Sequence, residues 1–167
     1  MSVEPFPRTF KPRVPASDAG RRAAVHDSLA VLASSVGVAA CWGPDGVEGV
    51  LVRSVMRVSV TPPRFLVSID KAAGGHKALL AADTIGLSIL AAGQDAATDA
   101  FLDAGAGWSG GGWSEAADEP PTLRGALTAL SGRVRSRIDA GSHTLLILDL
   151  DGAESRGGAP LVCFDQS

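Results

Sequence analysis

The sequence predicts a mainly β fold, a barrel of short antiparallel strands with helical insertions, and three observations carry that prediction. Apolar or alternating runs recur at 36–42, 49–60, 64–70 and 84–90, with two longer ones inside 122–154. Turn signals punctuate them, "GPDG" at 43–46 and "DAGS" at 139–142. Helical stretches are few and do not alternate regularly with strands, which argues against a doubly wound parallel sheet.

A chain of 167 residues fits one domain and buries a substantial core. Its 15 basic and 18 acidic residues are interspersed and leave a net charge of -3, so neither nucleic acid nor an anionic membrane is an expected partner. No apolar run reaches the roughly 18 residues of a membrane-spanning helix, and the opening "MSVEPFPRTFKPRVPASDAG" lacks the apolar segment of a secretion signal. A cytoplasmic location is expected. Cys41 and Cys163 stand apart from each other and from histidines at metal-ligand spacing, and both read as buried free thiols.

Residues 1–20 contain Pro5, Pro7, Pro12 and Pro15 and read as an extended arm; residues 21–167 read as the folded domain. Ser17 or Asp18 is a suitable N-cap for a helix over 21–35, where Ala24, Leu29, Leu32 and Val36 recur at helical spacing. "VGVAACW" is a strand, and "GPDG" turns it back to make a hairpin of 36–60. "RFLVSID" follows as a strand, "GGHKALLAAD" as a short helix, "TIGLSIL" as a strand and "GQDAATDAFLDA" as a helix with Ala97, Phe101 and Leu102 inward. A glycine-rich loop over 105–121 carries Trp108 and Trp113, either as a lid or as aromatics packed on the barrel. Two long strands joined at "DAGS" and a last strand "APLVCF" complete the chain. Arg133, Arg135 and Arg137 alternate and so share a face, most simply a solvated one.

The stretch "GVLVRSVMRVSVTPP" at 49–63 places two arginines and two serines in an apolar run. They read either as anion ligands, a guanidinium being suited to phosphate, or as cations at the barrel mouth paired with acidic neighbours. "KAAGGH" at 71–76 opens the short helix with uncovered amide groups, a second place for a phosphate.

The order of these pieces, with "GVLVRSVMRVSVTPPRFLVSID", "LSIL..GQ", "GSHT" and "PLV.F", resembles the flavin reductase-like family over about residues 24–164. The resemblance implies a split β-barrel with a few peripheral helices, binding FMN, with FAD as the alternative, and using NAD(P)H as co-substrate. It implies an NAD(P)H:flavin oxidoreductase that hands reduced flavin to a partner oxygenase, and a homodimer whose second subunit completes each flavin site. By residue, the resemblance carries over to Ser54 and Ser59 as flavin contacts and to the double proline, Pro62 and Pro63. Val52, Arg53 and Arg57 on the same stretch, and Lys71, Gly74, Gly75 and His76 at the turn, are expected cofactor contacts on physical grounds. His143 matches the histidine of the family's "GDH" and is the expected catalytic residue, near nicotinamide and flavin.

The chain departs from the family pattern at Leu51, Arg53, Met56 and Arg57, where polar residues usually stand, and at Ser142, where the family has aspartate. Two further functions therefore stand beside the reductase: a flavin-binding electron carrier without efficient NAD(P)H use, and a barrel that has lost flavin. His76 also reads as a helix-surface residue, and His143 as a hydrogen-bonded turn residue.

Overall fold

The computed structural model describes residues 15–104, 112–114, 116 and 118–163. Most of the expected arm, Trp108, Phe164 and much of the glycine-rich loop lie outside them. Contacts divide the chain into two compact units, 1–32 with 164–167, and 33–163.

In the first unit, α1 (Asp18–Leu29) starts at the N-cap Ser17, whose Oγ accepts from the Gly20 amide at 3.1 Å. Asp18 in the first turn pairs with Arg21, which favours the start because the helix dipole is positive there. The helix is shorter than the expected 21–35 and buries none of its residues.

The second unit is the barrel. After β1 (Ser34–Ser35) come β2 (Gly37–Gly43), β3 (Gly46–Val52), β4 (Val55–Val60), β5 (Pro63–Asp70), α2 (His76–Ala81), β6 (Thr84–Ile89), α3 (Asp95–Ala104), β7 (Thr128–Ala140), β8 (His143–Ser155) and β9 (Val162–Cys163). The main sheet is antiparallel with strand order β3-β2-β6-β7-β8-β5-β4, and β1 pairs separately with β9. Both sequence-predicted turns close their hairpins: Gly43 pairs with Gly46 and Ala140 with His143. At the second, Gly141 takes a φ of +71°, a left-handed conformation that glycine adopts without a Cβ penalty.

The expected hairpin over 36–60 is corrected in one respect. The chain leaves β3 at Val52 and re-enters a strand only at Val55, because β3 pairs with β2 while β4 pairs with β5. One apolar run thus supplies both edge strands of the sheet.

Alternation builds the interior. Phe65, Val67 and Ile69 of β5 and Leu146 and Leu148 of β8 pack with Val50, Val52, Ile85, Leu87 and the α2 residue Leu79. Each such side chain contributes about 1.5–3 kcal/mol on burial. β2 is buried on both faces: Ala39 and Cys41 face this core, while Val38 and Ala40 meet Phe101 of α3 and Trp113. Trp113 is therefore a packed aromatic, edge-on to Phe101 at 6.0 Å. α2 packs so closely on β3 that a Cβ on Gly75 would lie 2.7 Å from the Gly49 carbonyl oxygen.

Candidate functional site

The break between β3 and β4 is where the barrel opens. Arg53 and Ser54 form the crossing, pinned by the Ser68 amide donating to the Ser54 carbonyl at 2.9 Å. Beside it lies an open pocket of about 700 Å³. Leu51, Val52, Arg53 and Ser54 form one wall, Ser68 and Asp70 at the end of β5 another, and Ala72, Ala73 and His143 the turns beyond. Thr98 of α3 and Val36 and Cys163 complete the lining.

Two turns are tied together at its rim. The Asp70 carboxylate accepts from the Ala72 amide at 2.9 Å, and the Lys71 amide donates to the Ser142 carbonyl at 3.0 Å. The Lys71 ammonium reaches Asp139 at 2.7 Å. That hydrogen bond, with help from the Gly141 amide and the nearby charge, holds the Asp139 carboxyl below the usual carboxylate range. His143 heads β8, its Nδ1 2.9 Å from the Ser142 hydroxyl.

Of the residues expected at the site, the pocket wall gathers Val52, Arg53, Ser54 and His143. Arg57 and Ser59 lie on β4 with a register shift between them, so their spacing does not place them on one regular face. Lys71 is paired with Asp139, and Gly75 packs against β3. His76 is half-buried and engages the Thr144 hydroxyl at 2.9 Å. None of these five, nor Gly74, forms part of the wall. Cys41 is buried and free as expected, its thiol pushed up to about 11 by desolvation and by Glu48. Cys163 is only partly buried, because the pocket wall reaches it.

Arg135 and Arg137 have structural partners. Arg135 joins Arg64 on Asp149, and Arg137 donates at 2.7 Å to the carbonyls of Leu80 and Ala82, satisfying the end of α2.

The residues missed from sequence are Ser68, Asp70, Thr98 and Cys163. A signal existed for the first two: they share the face of β5 opposite Phe65, Val67 and Ile69, where a polar residue in an apolar strand marks a wet surface. Thr98 carries a more specific mark, since its Oγ1 is buried without a hydrogen-bond partner.

A split antiparallel barrel with an open pocket at its strand break, walled by apolar side chains and a few converging polar ones, has the build of a small-molecule site. The flavin reductase like domain family matches residues 29–167, and the chain belongs to that family. It is 30% identical over 139 residues to the FMN reductase (NADH) SmoA of Agrobacterium fabrum, covering 83% of this chain and 79% of that protein. It is 28% identical over 150 residues to the FMN reductase (NADH) RutF 2 of Rhizobium rhizogenes, covering 87% of each. Among solved structures, the styrene monooxygenase flavin reductase SMOB of Pseudomonas putida matches with a TM-score of 0.75 at 25% identity, over 84% of this chain and 91% of that one.

Proposed function

We propose that this chain is an NADH-dependent flavin reductase that takes FMN, or FAD, into the pocket at the β3–β4 break. The observation that carries the reading is the convergence of Arg53, Ser54 and His143 on one open pocket. A flavin fits the residues present. The volume of about 700 Å³ suits a cofactor, the wall offers Val36, Leu51 and Val52 to a flat ring, and Thr98 supplies a hydroxyl that the protein itself leaves unpaired.

When bound, the flavin supplies the redox chemistry, accepting a hydride from the nicotinamide and passing two electrons on. The chain binds and orients. Arg53 brings the wall a fixed positive charge and Ser54 a hydroxyl. The hydrogen bond between the Ser142 hydroxyl and Nδ1 of His143, at 2.9 Å, orients the imidazole at the pocket rim and leaves Nε2 for a bound molecule. Val52, Arg53 and Ser54 are the cofactor contacts in this reading and His143 the catalytic residue; Arg57, Ser59, Lys71, Gly74, Gly75 and His76 are not in the wall, to which the turn at 71–76 contributes Ala72 and Ala73.

A homodimer belongs to the same reading. The edge strand β4 exposes Met56, Val58 and Val60, an apolar edge that a second copy would cover. The product, reduced flavin, fits release to an oxygenase. No helix among the described residues is long and apolar enough to cross a membrane, and a cytoplasmic location belongs to the same reading, since NADH use supports it.

Titration of the purified chain with FMN, FAD and riboflavin, followed by NADH oxidation, tests the reading. Micromolar or tighter flavin binding and flavin-dependent NADH consumption are expected. Binding without NADH consumption would leave an electron carrier, and no binding would leave a barrel without flavin. Val58→Asp with Val60→Asp should yield monomers by sedimentation where the parent sediments as a dimer.

A further inference from the structure

Thr98 lines the pocket from α3, yet its hydroxyl is buried and bonded to nothing in the protein. A serine or threonine inside a helix commonly returns its hydroxyl to the carbonyl one turn back, as Ser28 does to Ala24 at 2.6 Å. Thr98 does not. Buried hydroxyls are normally paired, because stripping one of water without a partner costs free energy. Valine would present the same outline without that cost.

The helix is well anchored here. Phe101 lies three residues on, on the same face of α3; it is buried and meets Trp113 edge-on. Its ring also stands close enough to β3 that a Cβ on Gly49 would lie 3.5 Å from it. Thr98 is therefore held at the pocket by the next turn of its own helix. Threonine has two χ1 wells in a helix, so one rotation exchanges methyl for hydroxyl and turns Oγ1 toward a bound molecule.

We propose that the Thr98 hydroxyl is a flavin-binding group that hydrogen-bonds the neutral part of the cofactor, the ring with its ribityl chain, and not the phosphate. This rests on the pocket being the flavin site. Charge selects the neutral part: α3 reads "DAATDAFLDA", with Asp95, Asp99 and Asp103 and no basic residue, so it disfavours an anion. Asp95 in the first turn already answers the helix dipole. The phosphate is left to the side of the pocket that carries Arg53.

The test compares Thr98→Val, matched in shape, with Thr98→Ser, which keeps the hydroxyl. Each is titrated with FMN and with riboflavin by flavin fluorescence, and melted without ligand. Thr98→Val should melt no lower than the parent while losing about three- to tenfold in affinity for both ligands. Thr98→Ser should bind both within about twofold of the parent. Affinity unchanged in Thr98→Val would overturn the proposal, and so would equal losses in the two variants, which mark a packing role. A loss confined to FMN would assign the hydroxyl to the phosphate and overturn it as well. Failure of the parent to bind either ligand is a separate result, requiring no variant, and would remove the flavin reading together with this one.

Discussion

Asp70 stands directly opposite His143 across the β5–β8 ladder, and both residues line the same pocket. The pairing comes from strands far apart in sequence, and it puts the end of one strand and the start of another at a single rim. Asp70 spends one carboxylate oxygen on its own turn, at the Ala72 amide. Lys71, next in sequence, holds the facing turn through Asp139 and the Ser142 carbonyl. His143 therefore sits on a braced corner and not on a loose loop.

That placement makes His143→Ala a clean test of role. Turnover of NADH should fall roughly tenfold or more, while flavin affinity changes little, since an interaction made only in the transition state affects rate and not ground-state binding. Steady-state rates together with equilibrium titration check both halves. Turnover equal to the parent's would make His143 a turn residue.

Arg53 and Arg57 should separate. Arg53 is in the pocket wall and Arg57 is exposed on the neighbouring edge strand. Arg53→Ala should weaken FMN about tenfold to a hundredfold, the range of a charge-assisted hydrogen bond, and weaken riboflavin much less. Arg57→Ala should bind both as the parent does. Calorimetric titration of the two ligands against each variant decides it, and equal losses for FMN and riboflavin in Arg53→Ala would assign the guanidinium to the ring and not the phosphate.

Gly75→Ala should destabilise the fold without touching the pocket wall. The added Cβ would stand 2.7 Å from the Gly49 carbonyl oxygen and 3.0 Å from the Val50 side chain, and the first of these is backbone of β3 and cannot turn aside. Overpacking of this kind costs about 1–3 kcal/mol, readable as a lower urea midpoint. An unchanged midpoint would mean that α2 slides on β3 at no cost.

Asp149 gives the fold an acid-sensitive brace. Its carboxylate accepts from Arg64 at 2.5 Å and from Arg135 at 3.1 Å; the Arg64 hydrogen bond is the main cause that holds its pKa below the usual value, against some desolvation. A carboxyl whose folded pKa is depressed contributes stability above its unfolded value of about 3.9, and loses that contribution as pH falls through the folded value. The parent should be more stable than Asp149→Asn at neutral pH, and the gap should close in acid below about pH 4. A gap independent of pH would mean that the amide lost packing and not charge.

Much of the barrel was legible in the sequence because local signals carry it. The period of two in "RFLVSID", the turn glycines at 46 and 141 and the Ser17 cap each act over a few residues, and each element formed near where it was read. Ser54 and His143 in the pocket wall were also reachable, through the order of motifs that resembles the flavin reductase-like family, and Arg53 as a cation standing in an apolar run. What the sequence could not decide was where the apolar run at 49–60 breaks. "GVLVRSVMRVSV" has the hydrophobicity of one strand, and only the sheet order, with β3 at one edge and β4 at the other, forces the chain to stop pairing at Arg53 and Ser54. The same long-range pairing assigned Lys71 to Asp139, brought Asp70 opposite His143 and set Thr98 in the pocket wall. Periodicity and turn chemistry are properties of neighbours in the chain, whereas a pocket at a sheet's open edge depends on which strands meet when it closes.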